Sequence, residues 1–219
     1  SKFSIAVNSG TAAIELILRS INIKNKKVLI GNNTFIATAV AVKNSGGKPV
    51  PVDIEKKYFS LCPVELEKSI KSNNNIGAII IIHIAGLITP NIYKIVSICK
   101  KYNIPLVEDC AQAFGSIIKN KKVGNFGIAG AFSLQTTKVL TAGEGGVVVS
   151  NNKNLFEQMT RNKFYGYSSK NKLLHITEGS NLKMSEFVAL AAICDLDRID
   201  VRVKKRQLLA KRYQKNLKN

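Results

Sequence analysis

Two residues of this sequence have side chains and positions that could perform chemistry on one small molecule. Lys138 lies between an apolar run and the glycine-rich TAGEGG, and a lysine amine can form a covalent bond with a carbonyl group. Asp109 ends the apolar run IPLVED, where a carboxylate could hold a metal ion or a protonated ring nitrogen. Few other metal ligands accompany Asp109, so we favour the ring nitrogen and expect no metal site.

A third segment could bind an anion. NSGTAAIEL, at 8–16, places a Ser-Gly-Thr loop at the start of an amphipathic helix, where free N–H groups and the positive helix end favour a phosphate. An ordinary helix cap explains the same pattern equally well. No Gly-Lys-Ser/Thr follows, so the segment is not a Walker loop.

Together the three segments match the chemical needs of pyridoxal phosphate. This cofactor requires a site for its phosphate, a carboxylate for its ring nitrogen and a lysine for its aldehyde. The alternative for Lys138 is a solvated surface lysine, since the chain contains 33 lysine and arginine residues in total. The order of the three segments favours the cofactor hypothesis.

Alternating strands and helices must position these segments. Apolar runs predict strands at 28–31, 49–54, 78–84, 104–109, 130–134 and 145–150. Helical patterns lie between them at 11–21, 35–47, 63–71 and 91–103. This alternation predicts a three-layer α/β fold with a mostly parallel sheet and helices on both faces. Ligands of such sheets bind beyond the carboxyl ends of the strands, where Asp109 and Lys138 are both expected.

The end of the sequence has a different pattern. From Ser185 onward no strong breaker interrupts the helical pattern, which predicts one or two long helices with no strand after them. We therefore expect a cofactor-binding domain at 1–184 and a helical connection toward a further domain at 185–219.

Composition limits the class of protein. With 219 residues, 45% of them hydrophobic, the chain can bury the core of one domain. No apolar run approaches the roughly 20 residues that span a bilayer, and no charged-then-apolar leader starts the sequence. The four cysteines are scattered, which disfavours a disulfide framework or a zinc site. We expect a cytoplasmic protein that does not bind membranes.

The net charge of +19 has three interpretations. In the first interpretation, the basic residues only form a solvated surface; examples are the runs at 24–27, 119–122 and 203–207. In the second, their field attracts a phosphorylated or nucleotide-linked substrate. In the third they bind nucleic acid, but they are dispersed and lack interleaved aromatic residues, so we expect no nucleic-acid partner.

Seven blocks of the sequence resemble, in the same order, the DegT/StrS family of sugar aminotransferases, which are fold-type-I pyridoxal-phosphate enzymes. The resemblance extends from Ile5 to Leu217. The blocks are NSGTAA, NNTFIATAVAVKNSGGKPVPVDI, IIHIAGL, VEDCAQAFGS, AFSLQTTKVLTAGEGGVVVSN, RNKFYG and SNLKMSEFVALAA. This resemblance implies that the chain folds as the large domain of an aspartate-aminotransferase-like protein.

The resemblance also implies roles for individual residues. Lys138 would carry the cofactor covalently, Asp109 would pair with its ring nitrogen, and Gln112 would contact its phenolic oxygen. Phe35 would stack on the ring. Asn181 would reach the phosphate of a neighbouring subunit, which implies a homodimer with shared active sites. The residues implied to hold the phosphate within one subunit are Gly10, Thr11, Ala12 and Ser133.

The activity implied is transamination of a nucleotide-linked keto sugar or a cyclitol ketone, with glutamate or glutamine as the amino donor. The family usually has a segment before the SGT block and a small domain beyond the last block. We therefore expect the large domain nearly alone. A truncated, inactive binding or regulatory homologue, or one half of a split enzyme, is the alternative.

Two further residues are interpreted as core. His83, in IIHIAGL, is expected to be a packed histidine at a strand end rather than a base. Cys110, beside Asp109, is expected to be a small core residue rather than a nucleophile, because no histidine is evidently paired with it.

Overall fold

Runs rich in valine and isoleucine form the central sheet of the protein. The structure is a computed structural model, and it describes residues 1–168, 171 and 173–217. The seven strands of the main sheet are β1 (Phe3–Val7), β2 (Lys27–Gly31), β3 (Lys48–Val52), β4 (Ile76–Ile82), β5 (Leu106–Asp109), β8 (Ala129–Ser133) and β9 (Gly146–Ser150). The short strands β6 (Ile117–Ile118) and β7 (Lys121–Lys122) form a separate antiparallel hairpin.

The main sheet is mixed but mostly parallel. Its strand order is β1-β9-β8-β5-β4-β2-β3. The five strands β8, β5, β4, β2 and β3 run parallel to one another, whereas β9 runs antiparallel to both β8 and β1. The predicted α/β class is therefore confirmed, and every predicted strand is present within about two residues of its expected bounds.

In the part of the chain that the structure describes, seven α-helices accompany the sheet. They are α1 (Gly10–Ser20), α2 (Ile36–Asn44), α3 (Pro63–Ser72), α4 (Ile92–Lys101), α5 (Lys153–Asn162), α6 (Glu186–Leu196) and α7 (Ile199–Asn216). The first four lie where the sequence predicts them. Two of these helices begin at residues that favour a helix start. Ser9 accepts the N–H of Ala12 at 3.0 Å and caps α1, and Pro63 occupies the first position of α3.

Two hydrophobic cores, one on each face of the sheet, show the three layers. In β4 the residues alternate between the two faces. Ala78 and Ile80 pack in the core beneath α1, α2 and α5, and Ile79 and Ile81 pack in the core beneath α3 and α4. Because both faces are covered, the strand reads as one continuous apolar run.

The prediction missed β1, the β6–β7 hairpin and α5. In β1 only Ile5 and Val7 are buried, so its apolar signal is weak. The two hairpin strands have two residues each. Helix α5 is polar overall and buries Leu155 and Met159 four residues apart, a narrow stripe.

The predicted helical end of the chain consists of α6 and α7. No residue of either helix is buried, and all their residues lie within the described part of the chain. The division between a domain at 1–184 and a connection at 185–219 stays a prediction. Within the described residues, every helix is too short or too polar to cross a membrane.

Candidate active site

A cavity of about 480 Å³ opens at the carboxyl ends of β5 and β8. It is lined by the start of α1, the loop before α2, the end of β5 and the loop after β8. This is the edge at which ligands of parallel sheets bind. The cavity brings together seven of the nine predicted site residues, namely Gly10, Thr11, Phe35, Asp109, Gln112, Ser133 and Lys138.

The other two predicted residues do not line this cavity. Ala12 lies in the first turn of α1, next to Thr11, but its N–H group donates to Ser9 Oγ. Asn181 is exposed and forms an isolated bridge with Phe164. Its predicted role toward a neighbouring subunit stays a prediction.

The start of α1 provides an anion-binding wall. Gly10 and Thr11 lie in the first turn, whose N–H groups lack partners within a helix and carry its positive end. A Cβ atom at Gly10 would lie 2.7 Å from Ser133 Cβ, so only glycine lets the helix start approach the end of β8 this closely. The wall therefore combines helix N–H groups with the Ser133 hydroxyl, which suits a phosphate.

A buried carboxylate also lines the cavity. Asp109 is 7% exposed; its Oδ2 accepts the Thr38 hydroxyl at 2.8 Å and its Oδ1 accepts the Ala111 N–H at 3.1 Å. Burial raises the pKa of Asp109, and the hydrogen bonds from Thr38 and Ala111 oppose that rise. A cation on the cavity side would stabilise the ionised form, which is what a protonated ring nitrogen would supply.

Sequence reasoning missed Thr38. This threonine is 1% exposed and occupies the same buried face of α2 as Ala41 and Val42. The sequence did contain a signal for this role: Thr38 is a polar residue at a core-facing position of an apolar helix. A buried hydroxyl at such a position needs a hydrogen-bond partner. Its partner Asp109 is 71 residues away in sequence.

Three further predicted site residues line the cavity. Phe35 precedes α2 with 72% of its surface exposed, so a flat ligand could cover its ring. The Gln112 carbonyl oxygen accepts the Ala85 N–H at 2.7 Å, which orients that side chain. Lys138 is half-buried, and its own N–H donates to Gln135 O at 2.9 Å.

A second cavity, of about 900 Å³, adjoins the first. Gln112, Thr137 and Lys138 line both cavities. Among the described residues that line the larger one, Lys138 and Arg206 carry the only ionisable side chains. The lining of the larger cavity is therefore cationic, whereas the first cavity is lined by the carboxylates Asp109 and Glu144.

A buried cluster lies behind the first cavity. His83, Glu108 and Cys110 bring potential metal-ligand atoms within 4.8 Å of one another. Both Glu108 oxygens, however, already accept hydrogen bonds, from backbone N–H groups and from the His83 ring. Burial raises the pKa of the Cys110 thiol well above its usual range, and the nearby carboxylates raise it further. This chemistry favours a buried structural cluster over a metal centre. His83 and Cys110 are both buried, as the sequence predicts.

The residues of the first cavity fit pyridoxal phosphate. The lining of this cavity includes a helix N-terminus, a half-buried lysine, and a buried carboxylate without an ion-pair partner among the described residues. The exposed Phe35 ring adds a surface for stacking.

Comparison with known proteins gives a consistent match over the whole chain. A model of the DegT/DnrJ/EryC1/StrS aminotransferase family matches residues 1–219. The chain is 31% identical to a GDP-perosamine synthase of Escherichia coli O157:H7 over 99% of its own length and 59% of that protein. It is 32% identical to EpsN of Bacillus subtilis, a putative pyridoxal phosphate-dependent aminotransferase, over 99% of the chain and 57% of EpsN.

The fold matches as well. The structure of DesV from S. venezuelae, solved in complex with a ketimine intermediate, superimposes with a TM-score of 0.91 at 30% identity. The match covers 98% of this chain and 57% of DesV. The chain thus spans less than two thirds of the relatives that it resembles.

Proposed function

The chain belongs to the DegT/DnrJ/EryC1/StrS aminotransferase family, and from this premise we propose that it binds pyridoxal phosphate and transfers an amino group to a keto sugar. The observation that carries the proposal is one cavity that joins Lys138, the buried Asp109 and the start of α1. Glutamate or glutamine would be the amino donor.

Each wall of the cavity would perform one task. When bound, pyridoxal phosphate supplies an aldehyde for covalent attachment and a ring that takes up electrons from the substrate carbon. The Lys138 amine would hold the aldehyde and, once released, would move a proton at the reacting carbon. Asp109 would keep the ring nitrogen protonated, and Thr38 would keep Asp109 oriented. Phe35 would cover the ring and exclude water from one face.

Phosphate binding would depend on backbone groups at the start of α1 and on the Ser133 hydroxyl. Gly10, Thr11 and Ala12 follow the Ser9 cap in that turn. Gln112 would contact the phenolic oxygen through its amide N–H, because its carbonyl oxygen is occupied by Ala85.

The second cavity would receive the substrates. Its cationic lining suits the carboxylates of an amino donor and the diphosphate of a nucleotide-linked keto sugar. A GDP-linked sugar amine gives one relative its name, which supports the sugar class. A cyclitol ketone is the second acceptor class, and the name of another relative supports it: the L-glutamine:2-deoxy-scyllo-inosose aminotransferase of Micromonospora echinospora is 30% identical over 93% of this chain.

We propose that the protein acts in the cytoplasm as a homodimer. In that assembly Asn181 of each subunit would reach the phosphate of the partner. The exposed position of Asn181, away from its own cavity, agrees with a role toward another subunit.

Borohydride trapping tests the cofactor proposal. Protein incubated with pyridoxal phosphate and then reduced should carry the label on the peptide that contains Lys138, with an absorption band that Lys138→Ala abolishes. Lys153→Ala, at an exposed position at the start of α5, is the matched control and should keep both the band and the label. Label spread over exposed lysines would contradict the proposal.

Amino-donor addition separates an enzyme from an inactive homologue or half of a split enzyme. An active chain should lose the band of the bound cofactor when glutamate or glutamine is added, and regain it with a keto sugar. A stable band in the presence of every donor would indicate a binding protein. Because the chain spans 57–59% of its relatives, this outcome is a specific alternative.

A further inference from the structure

We infer that Asp195 and Arg202 form a positioning pair that fixes the loop carrying Lys138 against α6 and α7. This inference rests on the proposed function of Lys138. The two residues lie on either side of the α6–α7 turn, seven positions apart, and neither lines the cavity that holds Lys138. They would act on the reaction through the loop rather than by touching the cofactor.

Four hydrogen bonds define the pair. The Arg202 guanidinium binds the Asp195 carboxylate through two nitrogens, at 2.5 and 2.7 Å. Arg202 Nη1 also donates to Val139 O at 2.8 Å, and Asp195 Oδ2 accepts the Thr141 N–H at 2.9 Å. Two side chains and two backbone groups of the loop thus form one closed network.

The loop that the pair holds, at 135–142, closes on Leu134, the residue directly after β8. The Ala142 N–H donates to Leu134 O at 2.8 Å, and the Thr141 hydroxyl donates to the same oxygen at 3.2 Å. Gln135 O accepts the Lys138 N–H, which orders the first half of the loop. The Asp195–Arg202 pair supplies the contacts of the second half, beginning at the residue directly after the lysine.

The charges of the pair reinforce this geometry. The hydrogen bonds from Arg202 and then from Thr141 lower the pKa of Asp195, and the hydrogen bond to Asp195 raises the pKa of Arg202. Both groups therefore stay ionised throughout the neutral range. Their side chains are 16% and 32% exposed, so solvent partly screens the pair.

We expect the pair to control the position of the Lys138 loop more than the stability of the fold. Since α6 and α7 contribute no buried residue, breaking the pair leaves both hydrophobic cores intact. It does release Val139 and Thr141 from their partners in the helices. A shift of about 1 Å at the lysine would lower the rate of the chemical step roughly a hundredfold, because proton transfer needs a fixed geometry.

The experiment compares Arg202→Met with Arg212→Met in the cofactor-loaded full chain. Arg212 is an exposed residue of the same helix that lines none of the described cavities near Lys138, so its variant should match the wild type. Arg202→Met should lower kcat about tenfold or more while KM changes little. It should also shift the pH midpoint of the cofactor absorption band, a readout that global stability does not move.

Two further variants sharpen the test. Asp195→Asn should reproduce the effect of Arg202→Met, and the double variant should be no worse than either single one, because the two residues act as one unit. Arg202→Lys should recover only part of the activity, since an ammonium cannot bind the carboxylate through two nitrogens. Full additivity of the single effects would overturn the inference.

Amide hydrogen exchange tests the pair without any cofactor. Exchange at 135–142 should be faster in Arg202→Met than in Arg212→Met, with exchange in β4 and β5 unchanged. Equal exchange in the two variants would overturn the inference, whatever the cofactor does. Absence of label on Lys138 in the wild-type protein would instead contradict the proposed function, so the two failures are distinguishable.

Discussion

At the scale of single residues, Asp109 illustrates the cost of burying a carboxylate beside a cavity. Its carboxylate is buried beside an open cavity, and the hydrogen bonds from Thr38 and Ala111 satisfy only part of its charge. Burial raises its pKa, so the ionised form that would pair with a ring nitrogen is less favourable here than in water. Burial of this carboxylate therefore lowers stability, and it agrees with the proposed role in binding a cation.

This argument predicts opposite effects of Asp109→Asn on stability and on binding. The folded chain keeps a proton on Asp109 at pH values where the unfolded chain has released it, because its folded pKa is raised. The free energy of unfolding without cofactor should thus fall as pH rises from the ordinary aspartate range through the raised pKa. Asp109→Asn should remove that fall, and should weaken cofactor binding at neutral pH at least tenfold, on the order of 1.4 kcal/mol.

Urea unfolding at pH 4 to 8 and a cofactor titration measure the two effects. The exposed Asp197→Asn is the control and should change neither result. Unaltered cofactor affinity in Asp109→Asn would show that this carboxylate does not pair with the ring.

At the scale of secondary-structure elements, β5 places two adjacent carboxylates, Glu108 and Asp109, on opposite faces of the sheet. Asp109 lines the cavity, whereas Glu108 points to the other side and is fully buried. Glu108 accepts N–H groups of Gly124, Phe126 and Gly127 at 2.6 to 2.9 Å, and lies 3.0 Å from His83 Nε2. One carboxylate thus anchors the loop that leads into β8.

The element-scale prediction is that Glu108→Gln destabilises the fold strongly. The new amide would direct its NH₂ group at backbone N–H donors and leave them unsatisfied, at a cost of about 2–4 kcal/mol. Urea unfolding measures this loss. Glu65→Gln, which breaks an exposed pair with Lys68, should leave the midpoint of urea unfolding nearly unchanged, because solvent screens that pair. A similar small change at Glu108 would show that the loop is held by other contacts.

At the scale of the whole molecule, the net charge of +19 must affect stability. Like charges over the surface repel one another in the compact state, and salt screens that repulsion. The melting temperature should therefore rise by about 2–4 °C, or roughly 1 kcal/mol, between 20 and 300 mM sodium chloride.

Salts of different anions separate screening from specific binding. Chloride and acetate should act alike at equal ionic strength, whereas a larger effect of phosphate would indicate binding at the start of α1. A melting temperature that falls with added chloride would contradict the repulsion argument, because it would mean that attractive ion pairs dominate.

The sequence determined the elements and the edge of the sheet at which the predicted site residues meet. Apolar runs marked the strands because both faces of the sheet are covered, and strand ends placed Asp109 and Lys138 together because parallel strands share an edge. The ordered blocks identified the family, which the match over residues 1–219 confirms. Weak or very short elements, such as β1 and the β6–β7 hairpin, carried too little signal.

Only the tertiary structure decided which distant groups meet. Thr38 is 71 residues from Asp109, and Arg202 is 63 residues from Val139, so no local pattern links either pair. Hydrophobic periodicity reports how buried a position is, but it holds no information on the partner that a polar group finds there. Those partners follow from where the whole fold places α2 relative to the end of β5, and the α6–α7 turn relative to the loop after β8.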